Sequence, residues 1–278
     1  MSGVSPTLRQ RELGLRLRKL RTGLGMTVEE VADKLLCSPA KVSRMETAAR
    51  RPSPRDVRDL CALYGVDESG TAELMQLARQ AREQGWWTKY EDLNLSPYLG
   101  LEQEASSITC FCMYYIPGLV QTEDYARAMI AETAGRSFSE DGRRFAILAE
   151  RQRQSMTNAP RVWVVLDEAA LRRQVGGPEV MRAQLEYLCD LRSSRGIFLQ
   201  VIPFAGEPQA CMDSPFTILG FPDRMDPNVV CLRYPTGVMW VEDLAEVDRY
   251  HVFFHHLQAA ALSFDDSVSL MTSALKDL

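Results

Sequence analysis

Leucines fall at Leu13, Leu17, Leu20 and Leu24, with arginines and a lysine on the positions between them. That spacing predicts an amphipathic helix, closed by Gly23 and Gly25. Thr27, with Glu30 three residues on, forms a capping box that opens a second helix, TVEEVADKL, whose apolar side is Val28 or Val31, Ala32 and Leu35. Ala32 is small enough for another helix to cross close to it. Ser38 followed by Pro39 starts a third helix, SPAKVSRMET. In it Val42 and Met45 turn inward, and Pro39, Ala40, Lys41 and Arg44 face outward. A fourth helix follows RPSP, with Val57, Leu60, Cys61 and Leu63 apolar, and a fifth runs from Thr71 to Gln84.

Past residue 80 the pattern changes. An aromatic stretch holds Trp86, Trp87, Tyr90, Tyr98, Phe111, Tyr114 and Tyr115. A Pro117-Gly118 turn then leads to Thr122, which caps a helix through Ile130. An arginine-rich helix, SEDGRRFAILAERQRQSMT, comes next, and then RVWVVLDEAAL as a strand running into a helix or turn. Gly176-Gly177-Pro178 opens a helix with Val180, Leu185, Leu188 and Leu191 on one side. IFLQVIPF, FTILGF, VVCLRYP and GVMWVE alternate or run apolar as strands do, and a helix from Leu244 to Leu262 closes the chain. The expectation is an all-α five-helix domain over residues 1–80. A larger α+β domain over residues 81–278 follows, with a mixed sheet of about four or five strands.

Charge divides the chain at nearly the same place. The 278 residues carry a net −5, but residues 1–65 hold +6 and the remainder −11. The basic unit suits a polyanion, since phosphate neutralisation supplies most non-specific affinity for nucleic acid. The acidic part is not expected to touch DNA over a wide surface. At 46% apolar the chain buries a sizeable core, and no apolar run reaches membrane-helix length. The start lacks the apolar stretch of a signal peptide. Seven cysteines, an odd count without a CxxC pair, read as reduced thiols of a cytoplasmic protein, not a disulfide framework or zinc ribbon.

Candidate catalytic chemistry is thin. Asp167 and Glu168 are adjacent, and neighbours at a strand end point apart. Gly176-Gly177-Pro178 lacks the spacing of phosphate-binding loops. His251 and His255 share a helix face beside His256, but no HExxH or nearby acidic ligand accompanies them. They read as surface or interface residues. No cofactor, metal or enzymatic activity is expected.

Five short helices in this order, with MTVEEVADKLLCSPAKVSRMETAARRPS and LCALYGVDE, resemble the lambda-repressor-like, or Xre-type, helix-turn-helix domain over about residues 10–80. The resemblance implies that α-helix SPAKVSRMET enters the major groove. It assigns base-facing positions to Pro39, Ala40, Lys41 and Arg44, of which Lys41 and Arg44 can donate to guanine O6 and N7, and Ser43 joins them among the DNA-binding residues. Pro39 and Ala40 can at most touch a thymine methyl. Thr27 and Ser38 suit phosphates, as do Arg50 and Arg51, unless those arginines are simply solvated. Arg21 and Glu46 match the family's buried ion pair. Three positions depart from it: Val28 stands where a phosphate-contacting Gln is usual, and Leu36 and Ala48 stand where Gly is frequent. A left-handed turn at Ala48 would cost about 1 kcal/mol, unless the turn differs.

The rest resembles the C-terminal domain of WhiJ-like actinomycete regulators, described as antitoxin-like, over about residues 85–270. The resemblance rests on GLEQEASSITCFCMYYIPGLVQTEDYARAMI, LDEAALRRQVGGPEVMRAQLEYL and FTILGF, with Gln121, Thr122, Tyr125, Glu168, Gly176 and Gln184 among the matching positions. It implies a transcriptional regulator, cytoplasmic on the nucleoid, whose small neighbour-encoded partner protein alters its binding to operator DNA. A homodimer follows because one reading helix with few base contacts gives modest specificity. The alternative is a small-molecule sensor. Trp86, Trp87, Tyr90, Tyr114, Tyr115 and Gln121 are the candidates for partner or ligand contact, against core packing for the aromatic ones.

Overall fold

The computed structural model describes residues 8–82, 86, 89, 96–131, 138–158, 160–191, 196–207, 210–221, 228–234 and 237–278. Contacts divide the chain into two compact units, residues 1–104 with 223–226, and residues 105–222 with 227–278.

The first unit holds α1 (Leu8–Gly23), α2 (Val28–Lys34), α3 (Pro39–Glu46), α4 (Pro54–Tyr64), α5 (Glu68–Gln80) and α6 (Ser96–Glu104). The caps are those the side chains dictate. The Thr27 hydroxyl accepts from the Glu30 amide while Glu30 reaches back to the Thr27 amide, and Ser38 and Ser53 cap α3 and α4. Leu13, Leu17, Val31, Ala32, Val42, Met45, Val57 and Leu60 form one core, while Leu24 projects outward. Helix α5 starts before Thr71, because the Asp67 side chain caps it through the Gly70 amide, and it stops short of Gln84. Gly14 lies where α1 meets the end of α3; a Cβ there would stand 2.6 Å from the Glu46 carbonyl oxygen. Glycine is therefore what lets the two helices touch.

Leu36 and Ala48, on either side of α3, both adopt the left-handed conformation, with φ of 50° and 55°. The turns that many sequences make with Gly are made here with a Cβ present, at about 1 kcal/mol each. Leu36 is 95% exposed and buries nothing in return. Leu36→Gly should raise the stability of this unit by about 0.5–1 kcal/mol, read as a higher thermal midpoint; a lower midpoint would mean the turn is not strained. Ala48 is buried, so the same change there also removes packing.

The second unit is built on a six-stranded sheet in the order β3-β2-β1-β4-β5-β6. These are β1 (Ser107–Cys112), β2 (Arg161–Asp167), β3 (Ile197–Ile202), β4 (Phe216–Gly220), β5 (Val229–Tyr234) and β6 (Gly237–Val241). Strands β1, β2 and β3 are parallel, and β4, β5 and β6 add antiparallel to β1 in a meander. The parallel connections carry α7 (Glu123–Ala131) and α8 (Phe138–Asn158), then α9 (Ala169–Arg172) and α10 (Pro178–Asp190). Helices α11 (Leu244–Ala260) and α12 (Phe264–Lys276) end the chain.

The α+β architecture is as the sequence pattern implies, with one strand more. That strand, β1, is central: SITCFC has too few branched apolar residues to stand out, yet Ile108, Cys110 and Phe111 are all buried. The closing helix is also two, because the Ser263 hydroxyl caps a new helix through the Asp266 amide. On one sheet face Phe111, Val165, Phe216, Ile218 and Val230 pack against Val247, Phe254 and Leu257 of α11. Alternate positions Ile108, Val164, Leu166, Val201 and Leu219 are equally buried, so both faces are covered, as a partly parallel sheet requires.

Candidate nucleic-acid interface

Helices α2 and α3 and the turn between them make the interface. Val31 and Ala32 are fully buried beside Val42 and Met45, so α3 is held by its apolar side. Its other side presents Pro39, Ala40, Ser43 and Arg44, all exposed. Thr27 and Ser38 are exposed at the two helix starts. Each hydroxyl oxygen accepts from a backbone amide of its own helix, Glu30 at 3.2 Å and Lys41 at 3.2 Å, which leaves the hydroxyl proton free to donate outward.

Lys41 does not lie fully on the open face. It is half-buried, and its ammonium donates to Asp56 Oδ1 at 2.5 Å. Asp56 is committed to the start of α4, where it accepts from the Ser53 amide at 2.8 Å. Burial opposes its charge, but the bonds from Lys41 and Ser53 outweigh that and hold its carboxyl below the usual range. This pairing ties α3 to α4 and leaves Arg44 as the outward cation within α3. The motif SPRD, a capping box, was the visible signal for an acid at that place.

Behind the interface the end of α3 is anchored to α1. Arg21 donates twice to Glu46, Nε to Oε1 at 2.7 Å and Nη2 to Oε2 at 2.9 Å, and once to the Met26 carbonyl at 2.6 Å. Both side chains are buried, and the Glu46 carboxylate raises the Arg21 pKa. Gln10 donates to the Ala48 carbonyl at 2.7 Å and accepts from Arg51 Nε at 3.1 Å, so Arg51 braces the loop after α3. Arg50 is exposed. Gln10 carried no motif in the sequence; its role appears only when α1 and residue 48 come together.

In the second unit, Tyr114 and Tyr115 are exposed while Phe111 is in the core. In the first, Tyr98 is buried and the Trp86 indole donates to Gln103 Oε1 at 2.6 Å. Trp87 and Tyr90 lie outside the described residues. His251 is half-buried with Nε2 2.9 Å from the Asn228 side-chain nitrogen; burial and then His255 lower its pKa, which suits a neutral ring accepting that bond. His255 and His256 are exposed. Among the described residues no three His, Cys, Asp or Glu side chains gather as metal ligands, and no helix is long and apolar enough to cross a membrane.

A helix-turn-helix domain model matches residues 12–74. A second model, described as a domain of unknown function, DUF5753, matches residues 95–273, more than half of the chain. The chain belongs to the DUF5753 family. No curated protein matches it. A helix-turn-helix unit joined to a DUF5753 domain is the architecture of a DNA-binding regulator.

Within the DUF5753 region, several singled-out residues turn out to be struts. Gln184 on α10 accepts from the Thr122 amide at 2.7 Å and donates to the Val120 carbonyl at 2.8 Å. Gln121 donates to the Ile116 carbonyl at 2.6 Å, and the Tyr125 hydroxyl accepts from the Ile116 amide at 3.3 Å. Gln152 on α8 donates to the carbonyls of Gly118 and Gln121, both at 2.8 Å. Together they satisfy the buried backbone of the turn at residues 116–122 and fasten it to α8 and α10. Glu168 accepts from Arg172 and from the Phe204 amide at 2.8 Å, which fixes the end of β2. Gly176 takes φ of 70°, and a Cβ there would meet Ala128 at 2.7 Å. Gln121, a candidate for partner contact, is buried in this network.

Proposed function

We propose that the chain is an Xre-type, sequence-specific transcriptional regulator that binds operator DNA as a homodimer. Its WhiJ-like second unit receives a small regulatory partner protein. The observation that carries this reading is the exposed side of α3, where Ala40, Ser43 and Arg44 stand clear of a helix clamped from behind by the Arg21–Glu46 pair. Arg44 then reads a base edge, Lys41 adds a donor it shares with Asp56, and Pro39 and Ala40 contact apolar groups in the groove. Thr27, Ser38 and Arg50 bind phosphates, and Arg51 does so through whatever reach its bond to Gln10 leaves. On this reading the DNA reader itself ends near residue 80, after α5, although the first compact unit continues through α6 to residue 104.

Selection from a random duplex pool with the full chain tests this. The expected product is two inverted half-sites about 34 Å apart, bound with an affinity that falls steeply as salt rises. A pool that shows no enrichment at any salt concentration removes sequence-specific binding.

A second reading, a small-molecule sensor, is favoured by one feature of the second unit. A cavity of about 330 Å³ lies between α10, β3 and α12, lined by Leu188, Phe198, Phe264 and Met271 among others. Phe198 and Phe264 there surround Trp163 at ring separations of 5.0 and 5.9 Å. That size, with apolar side chains and Asp265 on its wall, suits a small ligand. Mass spectrometry of what copurifies with the native protein separates the readings: a stoichiometric small protein supports the partner, and a metabolite supports the sensor.

A further inference from the structure

The two edges of the sheet are treated differently. At the β3 edge the Val201 amide donates to the Ser267 hydroxyl at 3.0 Å, and the Leu262 amide donates to the Val201 carbonyl at 2.9 Å. Ser267 is completely buried, so α12 and the link before it close that edge to any further strand. At the other end β6 pairs with β5, and no described strand lies beyond it. Natural edge strands usually resist pairing with a charge, a proline or a bulge. The sequence of β6, GVMWV, has neither charge nor proline, and its register against β5 runs unbroken over five pairs.

The surroundings of that edge are apolar and exposed. Tyr234 and Met239 lie diagonally across β5 and β6 on one face, 52% and 53% exposed, and Leu244 at the start of α11 is 63% exposed. The Tyr234 ring covers Gly237, where a Cβ would come within 2.7 Å of its hydroxyl. This cross-strand cover keeps the hairpin in register at the edge.

We infer that β6 is the strand along which two copies of this chain pair, antiparallel, about a two-fold axis through Met239. The inference rests on the dimeric reading above and adds the surface. A two-fold presents the same patch twice, so the patch must be complementary to itself. Centred on Met239, the axis sets Gly237 opposite Val241 and Val238 opposite Trp240, with no like charges facing. The charges lie at the two ends: Arg233 pairs with Val238 on β5, and Glu242 follows β6. Antiparallel pairing brings Arg233 of each copy toward Glu242 of the other. A neutral centre with opposite charges at its ends fits a second copy of itself.

Two variants of the full chain test this. In Met239→Cys the two thiols face each other directly, at about the 4.5–5.5 Å between Cβ atoms of opposed residues. Mild oxidation should then give a covalent dimer, joined at residue 239 by peptide mapping, that the parent chain does not form. Met239→Lys sets two ammonium groups together. It should sediment as a monomer where the parent chain is a dimer, with an unchanged circular dichroism spectrum because the side chain is half exposed. A parent dimer that shows no 239–239 link and survives Met239→Lys places the contact elsewhere, overturning the inference while the dimeric reading stands. A monomeric parent chain overturns both.

Discussion

Glu46→Ala is expected to lower the melting midpoint of the first unit by more than about 10 °C. The carboxylate takes the Nε and Nη2 donors of a buried guanidinium, and both side chains are nearly out of water, at 11% and 5% exposure. Removing one partner of such a pair leaves an uncompensated buried charge, which costs about 3–5 kcal/mol. A unit of this size loses roughly 4–8 °C per kcal/mol. Arg21 keeps one bond, to the Met26 carbonyl, so the lower end of that range is the firmer figure. The double replacement Arg21→Met, Glu46→Leu should recover most of the loss, because two apolar groups leave no charge stranded. Thermal unfolding of the full chain followed by circular dichroism checks both. An unchanged midpoint in Glu46→Ala would show that the pair contributes nothing net to stability.

Arg44→Ala should abolish the preference for the selected operator while leaving the fold intact. Arg44 is exposed on α3, and a bidentate arginine–guanine contact discriminates by about 1–3 kcal/mol. Two half-sites double that, so operator affinity should fall by about 2–6 kcal/mol while binding to random duplex barely changes. Arg50→Ala should instead weaken operator and random DNA alike and flatten the salt slope. Lys41→Ala separates two roles for that residue. Because its ammonium is held by Asp56, the change should lower the thermal midpoint more than it alters base preference. Binding titrations at two salt concentrations distinguish these outcomes, and an Arg44→Ala protein with undiminished operator preference would take Arg44 out of the reading set.

Much of the first unit was legible because its rules are local. A hydroxyl three residues before a Glu or an amide donor makes a cap wherever it stands, so Thr27 and Ser38 declared their helices. The three-and-four spacing of Leu13, Leu17, Val42 and Met45 likewise declared which sides turn inward. The second unit was legible where strands were branched and apolar, as in RVWVVLD, and illegible at SITCFC. A central strand needs no pattern of its own when β2 and β4 supply hydrogen bonds on both sides.

What lay beyond the sequence was pairing between distant residues. Nothing within SPAKVSRMET shows that Lys41 meets Asp56, fifteen positions on, and so is partly withdrawn from the open face. Nothing in the spacing of Gly14 shows that the backbone of Glu46 comes against it. Gln121 read as a possible contact for a partner until the turn it supports closed around it, with Gln184 bracing the same turn. The sequence by itself determined the first four helices, the caps at Thr27 and Ser38, the division of charge and most apolar faces, because each depends on neighbours within a turn or a strand. Only the tertiary structure decided that Lys41 is paired, which polar groups are struts, and that the β3 edge of the sheet is covered. Those depend on what the chain brings alongside from far away, and a buried donor or charge is defined by the partner it finds there.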